Sequence, residues 1–157
     1  MILGVDPGIT GALVWLSEGP RVEWCSDMPV LELVRNKKKR HMIDIAGLLQ
    51  LFKGYTKPEH AFIEESWPRP ENGSVAAHAS GVVFGVLLCA LQANEIPYTT
   101  VSPQTWKAAL SIPAAKDGAR ARANELLPSG AARWMRVKDH NRAEAALIAL
   151  WGYRYER

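Results

Sequence analysis

The chain opens with short apolar runs separated by turn-forming residues. Residues 1–6 are almost entirely apolar, which is typical of a strand buried on both faces of a sheet. The run at 10–16 predicts a second strand, and the weaker alternation over 21–26 predicts a third after the Glu-Gly-Pro turn at 18–20. Because the turns between them are short, we expect these three strands to form an antiparallel meander.

The rest of the pattern alternates between helices and strands. Apolar residues at helical spacing predict a first helix over 42–52. Ser74 is expected to cap a long helix over 75–94, and Ser102 with Pro103 predicts the start of another. The order βββαβαβααα predicts an α/β layer fold with a mixed sheet. The remaining predicted elements are strands at 60–66 and 96–101 and helices at 104–110, 117–127 and 139–153.

Length and composition predict one globular domain spanning 1–157. The hydrophobic fraction of 48% is ordinary for a globular protein. We find no apolar run of membrane-spanning length and no signal-peptide pattern at the start, so we expect no membrane partner. Cys25 and Cys89 lie within apolar patterns, which predicts neither a disulfide framework nor a zinc site and indicates a reducing, cytoplasmic setting.

Positive charge is concentrated in two segments, although the net charge is only +3. Residues 103–142 carry eight Lys and Arg against three acids, and the rest of the chain outside the two segments is acidic on balance. This distribution favours a polyanionic partner such as nucleic acid, the alternative being a solvated loop and a solvated helix face. The other segment, which we predict to be a loop that contacts DNA phosphates, contains Arg35, Lys37, Lys38, Lys39 and Arg40.

Three acids follow or occupy predicted core elements. Asp6 ends the first strand before Pro7 and Gly8, where the alternative interpretation is an ordinary β-turn. Glu64 and Glu65 end the fourth strand, and because neighbouring strand side chains face opposite ways, only one of them can face Asp6.

The third acid, Glu144, lies among alanines and leucines in the last predicted helix. Asn141 and His140 precede it by three and four residues and therefore share its side of the helix. The alternative is a surface glutamate paired with Arg142 or Lys138.

Oxygen ligands from separate elements suit Mg²⁺ or Mn²⁺ rather than zinc. Two such ions about 3.5–4 Å apart can activate water and stabilise the leaving oxygen of a phosphodiester. We therefore interpret the acids as metal ligands and the basic segments as contacts to the substrate backbone.

Taken together, these segments resemble the RuvC family of Holliday-junction resolvases, in particular its phage and prophage-type members. The resemblance implies an RNase H-like fold with a central five-stranded mixed sheet flanked by helices. The matching segments occur in family order and cover nearly the whole chain. They are 4–8, 10–12, 63–65, 101–107 and 142–149, which read GVDPG, TGA, IEE, VSPQTWK and RAEAALIA.

The resemblance implies a homodimeric, Mg²⁺-dependent endonuclease that resolves four-way DNA junctions in recombination and repair. The family's catalytic acids map onto Asp6, Glu64 and Glu144, which decides between Glu64 and Glu65. Lys107 and Lys116 match the region where the family places lysines near the scissile phosphate. The long helix over 75–94 is where such dimers pair, and the face shared by its Gly81 and Gly85 suits close approach of a second helix.

One position departs from the family. Asn141 stands where the family usually has Asp or His, and the neutral amide is a weaker metal ligand. Asp139 or His140 could supply the missing ligand, Asn141 could serve through its oxygen, or the substitution could inactivate the site. The last case predicts a junction-binding protein with impaired or absent cleavage.

The loop after the fourth strand offers two further candidate DNA contacts. Trp67 could stack on an unpaired base, the alternative being a half-buried core residue, and Arg69 in the same loop is the second candidate.

Two other functions are alternatives to a junction resolvase. An ATP-binding domain of the sugar-kinase and actin group would need a second phosphate loop and a much longer chain. An RNase H-like nuclease that acts on RNA is the other alternative.

Overall fold

A computed structural model describes residues 1–35, 37–66, 73–115 and 117–156. Two short 3₁₀ helices, Pro128–Trp134 and Val137–Asp139, precede the last α-helix. The strands are β1 Ile2–Asp6, β2 Ala12–Ser17, β3 Arg21–Asp27, β4 Val30–Arg35, β5 Lys38–Ile43, β6 His60–Glu64 and β7 Tyr98–Val101. The α-helices are α1 Ile45–Gly54, α2 Ser74–Ala93, α3 Pro103–Ala109, α4 Gly118–Leu126 and α5 His140–Tyr155.

The main sheet has five strands in the order β3-β2-β1-β6-β7. The meander β1-β2-β3 is antiparallel, whereas β6 pairs parallel to β1 and β7 pairs parallel to β6. This arrangement confirms the predicted α/β fold with a five-stranded mixed sheet flanked by helices. It also puts β1, the first strand predicted from the sequence, at the centre of the sheet.

The two faces of the sheet are covered by different helices. Side chains alternate along a strand, so Ile2 and Phe62 point into the core formed with α5, whereas Leu3 and Ile63 point into the core formed with α1 and α2. Positions of the same parity as Ile2 and Phe62 therefore face α5, and both Asp6 and Glu64 are such positions.

Helix α5 lies very close to β1. A Cβ atom added at Gly4 would overlap the carbonyl oxygen of Ala145 and would lie 2.7 Å from the Cβ of Ala149. At the other end of the helix, a Cβ at Gly152 would overlap the ring of Phe62. Glycine is thus required at these two positions of contact between the central strands and α5.

The prediction of a loop for the basic segment at 35–40 is wrong, because this part of the chain belongs to a β-hairpin. Strands β4 and β5 pair antiparallel as a separate two-stranded sheet. The first helix consequently begins later than predicted, at Ile45, with the Asp44 carboxylate accepting a hydrogen bond from the backbone N–H of Gly47 at 3.0 Å. Residues 30–34 alternate too weakly between apolar and polar side chains to predict a strand beside the charge run.

The predicted helix caps have different outcomes. Ser102 is confirmed as the cap of α3, since its hydroxyl accepts from the backbone N–H of Thr105 at 3.2 Å, with Pro103 as the first helical residue. Ser74 is not the cap of α2. It is the first residue of that helix, and Gly73 occupies the cap position.

Helix α2 also corrects the expectation that no apolar run reaches membrane-spanning length. It has 20 residues, and its most apolar 18-residue stretch has a mean hydropathy of 2.0. Its buried residues, Val83, Leu87, Ala90 and Leu91, pack against the sheet. The long apolar helix therefore covers one face of the sheet along a narrow stripe, and most of its remaining surface is open.

Candidate active site

The candidate site starts from Asp6 at the carboxyl end of the central strand. Its side chain is on the α5 face and is only 9% exposed. Strand β6 pairs with β1 so that Val5 lies opposite Ile63, and the next residue of each strand is Asp6 and Glu64. Parallel pairing therefore brings these two carboxylates to the same edge of the sheet, on the same face.

The neighbouring glutamates at the end of β6 have different partners. Glu64 accepts a hydrogen bond from the indole Nε1 of Trp106, with 2.7 Å between Nε1 and Oε2. Glu65 accepts from the hydroxyl of Thr100 at 3.2 Å. The alternation of the strand thus separates the two acids physically, and Glu64 is the one on the face of Asp6.

The third carboxylate reaches this edge from the helix packed on that face. Glu144 on α5 forms an ion pair with Lys107 on α3, with 3.2 Å between Nζ and Oε1. The Lys107 ammonium also lies over the ring of Trp106, 5.0 Å from its centroid. Consecutive residues of α3 therefore hold the two glutamates, Trp106 through a neutral donor and Lys107 through a charge.

The electrostatics show that the three acids interact. The pKa of Asp6 is well above its usual value, first because burial removes water and then because Glu144 and Glu64 repel its negative charge. Lys107 acts in the opposite direction and lowers that pKa. An additional cation at this edge would relieve the remaining repulsion.

Asp139, His140 and Asn141 are the three candidates for the missing metal ligand, and each has a different partner in the structure. Asp139 accepts two hydrogen bonds from the Arg136 guanidinium, at 2.8 and 2.9 Å, which lowers the pKa of its carboxyl. The exposed His140 ring lies 3.2 Å from the carbonyl oxygen of Val137. Asn141 instead donates its amide N–H to the carbonyl oxygen of Thr10, in the turn between β1 and β2 that follows Asp6. Of these three residues, Asn141 is the one that is hydrogen-bonded to the turn following Asp6.

A cavity of about 540 Å³ opens beside Glu144 and Lys107. Its walls are polar and apolar in about equal parts; Ile112 and Pro113 are among the apolar residues, and Gln104 contributes an amide. The ion pair that borders the acids therefore also faces an open space large enough for a small group of a substrate.

The ligating arrangement itself is not complete. Among the residues that the structure describes, no group of three or more His, Cys, Asp or Glu side chains is arranged to hold one metal ion. The carboxylates of Asp6, Glu64 and Glu144 are close enough to interact, but Glu64 and Glu144 are held by Trp106 and Lys107.

Several predicted contacts are found elsewhere or are not described. Lys37, Lys38, Lys39 and Arg40 are exposed on the hairpin. Trp67, Arg69 and Lys116 lie outside the described residues, as does the side chain of Arg35.

Trp106 is the contact that the sequence reasoning missed. Its side chain is fully buried, but its indole N–H is directed at Glu64. A buried tryptophan usually needs a partner for this N–H. That requirement, together with the adjacent Lys107, was a signal in the sequence that one side of the residue is polar.

Comparison with solved structures gives the same fold. Thermus thermophilus RuvC in complex with a Holliday junction substrate matches with a TM-score of 0.64 and 17% identity, over 98% of this chain and 94% of that one. Thermus thermophilus RuvC alone gives 0.61 and 20%, over 99% and 96%. The yeast mitochondrial Holliday junction resolvase gives 0.60 and 15%, over 96% and 76%. The resemblance inferred from the sequence is thereby confirmed for the fold.

Comparison of sequences adds nothing to this likeness. No family model matches the chain, and no curated protein matches it. The similarity is therefore one of structure at low identity, and the assignment of an activity has to be argued from the residues of this chain.

Proposed function

We propose that this protein is a structure-selective DNA endonuclease that resolves four-way junctions. The observation that carries the proposal is the convergence of Asp6, Glu64 and Glu144, from two strands and a helix, at one edge of the sheet beside Lys107. The likeness to RuvC bound to a Holliday junction supports branched DNA as the substrate. We propose a bacterial or phage-infected cytoplasm as its setting.

The donors at the site suit a hard divalent cation. Asp6, Glu64 and Glu144 would hold Mg²⁺, with Mn²⁺ as a substitute, because carboxylate oxygens are the ligands that both prefer. The raised pKa of Asp6 supports the fit, since the repulsion that raises it is relieved by positive charge. The Asn141 side-chain oxygen is available to assist, because its nitrogen donates to Thr10. When bound, divalent ions supply water activation and neutralise charge on the leaving oxygen of a phosphodiester, in the two-ion arrangement.

The basic residues divide into a local and a remote group. Lys107 and Lys116 are proposed to stabilise negative charge on the phosphate at the cleavage point. The hairpin, Trp67 and Arg69 are proposed to hold the arms of the junction, through phosphate contacts and base stacking.

Dimerisation through α2 would supply two sites for symmetric cutting. Val75 and Val82 on this helix are 78% and 49% exposed. A groove of about 370 Å³ runs along Gly81 and Gly85, beside Ile45 of α1. We propose that a second copy of the chain covers this apolar surface.

The test is cleavage of a mobile four-way DNA junction in the presence of Mg²⁺ or Mn²⁺. We expect paired cuts in strands of like polarity and little cleavage of linear duplex or RNA. Asp6→Asn should retain binding and should lower the cleavage rate by about 100-fold or more, because loss of a metal ligand removes several kcal/mol of transition-state stabilisation. Equal cleavage of RNA and branched DNA would contradict the proposal.

A second candidate is a junction-binding protein without efficient cleavage. It is favoured by Asn141 and by the absence of a three-carboxylate ligating group among the described residues. In that case the wild type binds the junction without cutting it, and Asn141→Asp introduces metal-dependent cleavage. If Asn141→Asp leaves both rate and metal dependence unchanged, Asn141 has no role at the metal site.

A further inference from the structure

The β4–β5 hairpin has two chemically different faces. Residues directly opposite each other in an antiparallel pair share a face of the ribbon. In this hairpin Glu32 lies opposite His41 and Val34 opposite Lys39, whereas Leu33 lies opposite Arg40. Successive residues alternate, so Lys39 and His41 are on one face with Glu32, and Lys38 and Arg40 are on the other.

The face that contains Glu32 is neutralised internally. One carboxylate oxygen of Glu32 lies 3.0 Å from Nζ of Lys39, and the other lies 3.7 Å from Nε2 of His41. Any polyanion that approached Lys39 along this face would therefore also approach the Glu32 carboxylate. An exposed ion pair contributes little to stability, but it sets the local charge close to zero.

The opposite face combines positive charge with exposed apolar side chains. Lys38 and Arg40 are both on it, and among its described side chains there is no acid. Leu31, Leu33 and Met42 accompany them and are 45%, 48% and 44% exposed. We call this set of Leu31, Leu33, Lys38, Arg40 and Met42 the basic–apolar face.

The β4–β5 hairpin comes close to the turn between β1 and β2 that follows Asp6. A cavity of about 280 Å³ separates it from α2, and its lining includes Arg40 and Met42. The same cavity reaches Ile9, which follows Asp6 by three residues. DNA bound along the hairpin would thus continue toward the turn that follows Asp6.

We propose that the basic–apolar face is the surface of the hairpin that binds a duplex arm of the substrate, and that the Glu32 face does not. The inference rests on the proposed function and specifies how that function engages DNA. The major groove of B-DNA admits a two-stranded β-ribbon. Lys38 and Arg40 bind phosphates along the groove, and the aliphatic side chains between them contact base edges and thymine methyl groups.

The experiment compares single charge removals within one hairpin. Binding of a four-way junction is measured as a function of salt in the Asp6→Asn background without divalent metal, so that cleavage has no influence. Removal of one phosphate-binding side chain lowers the slope of log K against log salt by about 0.9. We expect this decrease for Lys38→Ala and for Arg40→Ala, with about a 5- to 10-fold weaker affinity, and a distinctly smaller decrease for Lys39→Ala.

Two further variants complete the design. Lys53→Ala, on the exposed last turn of α1, removes a positive charge away from the hairpin and serves as the control. Glu32→Gln removes the neutralising charge and is expected to tighten binding. Thermal unfolding verifies that every variant is folded.

Each outcome decides the proposal. Equal decreases for Lys38→Ala and Lys39→Ala would overturn the distinction between the faces while leaving the proposed function intact. Decreases no greater than that of Lys53→Ala would exclude the hairpin from DNA binding. A wild-type protein that binds no branched DNA would overturn the proposed function together with this inference.

Discussion

The two faces of the central sheet are covered by helices that differ in how much of their surface is buried. On one face, α5 is buried from Ala145 to Gly152 without interruption and carries Glu144 into the site. On the other, the longer α2 has four buried residues among twenty. The apolar side chains of α5 are therefore buried by other parts of this chain, whereas most of those in α2 are not buried.

This difference in burial determines which side chains of the molecule have fixed positions. The candidate carboxylates need fixed positions, and Asp6 and Glu144 lie on β1 and α5, which are in such close contact that Gly4 has no room for a side chain. Helix α2 makes looser contact, and an added Cβ at Gly81 or Gly85 meets no described atom within 4 Å. One face thus holds the candidate site in close contact, and most of the helix surface on the other face is open.

The largest expected effect is at the close contact between β1 and α5. Gly4→Ala would drive a methyl group into the Ala145 carbonyl, which is backbone and cannot rotate away. Overpacking of a buried site costs about 1–3 kcal/mol or more, and we expect the upper end here. Urea unfolding followed by circular dichroism measures the loss. A change below about 0.5 kcal/mol would show that α5 can shift, and the contrast between the faces would fail.

The next effect tests how the face of the sheet that α5 covers positions Glu64. Trp106→Phe removes the indole donor and keeps an aromatic ring in the core. Partners that orient metal-binding side chains typically contribute about 10- to 100-fold to metal affinity or activity. We therefore expect weaker Mn²⁺ binding by that factor, measured by electron paramagnetic resonance of free Mn²⁺.

Two comparisons separate positioning from packing for Trp106. Trp134→Phe removes another buried indole donor, which binds Asn124 away from the carboxylates, and should leave Mn²⁺ affinity unchanged. Trp106→His restores an N–H donor and should recover part of the affinity. Equal losses of Mn²⁺ affinity in Trp106→Phe and Trp134→Phe would mean that Trp106 acts only through packing.

A smaller effect follows from the repulsion at Asp6. The folded state raises the pKa of this carboxyl, so it binds the proton more tightly than the unfolded state does. Stability is therefore lost as pH rises from the usual pKa of aspartate to the raised one, and the loss is complete above it. Asp6→Asn removes this destabilisation and should stabilise the protein at neutral pH by about 1 kcal/mol, the size of an ordinary substitution effect.

Thermal unfolding at several pH values checks the sign of this effect. The stability difference between Asp6→Asn and wild type should be largest at neutral pH and should shrink toward about pH 4, because the wild-type carboxyl is then protonated. A difference that grows on acidification would contradict the raised pKa. An increase in Tm of about 2–4 °C is expected at neutral pH.

The structure around the candidate site, on the face of the sheet that α5 covers, was predicted better from the sequence than the other side. The apolar run before Asp6 and the Ser102-Pro103 start of α3 are local signals, and both elements form as predicted. The side of β6 that carries Glu64 follows from strand alternation once β1 and β6 are known to pair. Pairing between strands so far apart in the sequence has no local signal, which is why the residues alone left Glu64 and Glu65 open.

The other side of the molecule was predicted less well, for physical reasons. Among the described side chains of the hairpin only Ile43 is buried, so the hydrophobic pattern that marks a strand is weak there. Its dense charge suggested a loop instead. The apolar length of α2 was underestimated because His78 and Ser80 interrupt the apolar run without ending the helix.

The smallest effect concerns the open face. Gly85→Ala places a methyl group in space that no described atom of this chain occupies, and replacing a helical glycine by alanine stabilises a helix by about 0.5–1 kcal/mol. We expect that gain in thermal unfolding at low protein concentration, opposite in sign to Gly4→Ala. If a second copy packs against Gly81 and Gly85, the same methyl group weakens self-association, which sedimentation equilibrium detects. A stabilised protein with unaltered self-association would place the partner surface away from this groove, and the open face of α2 would then need a different occupant.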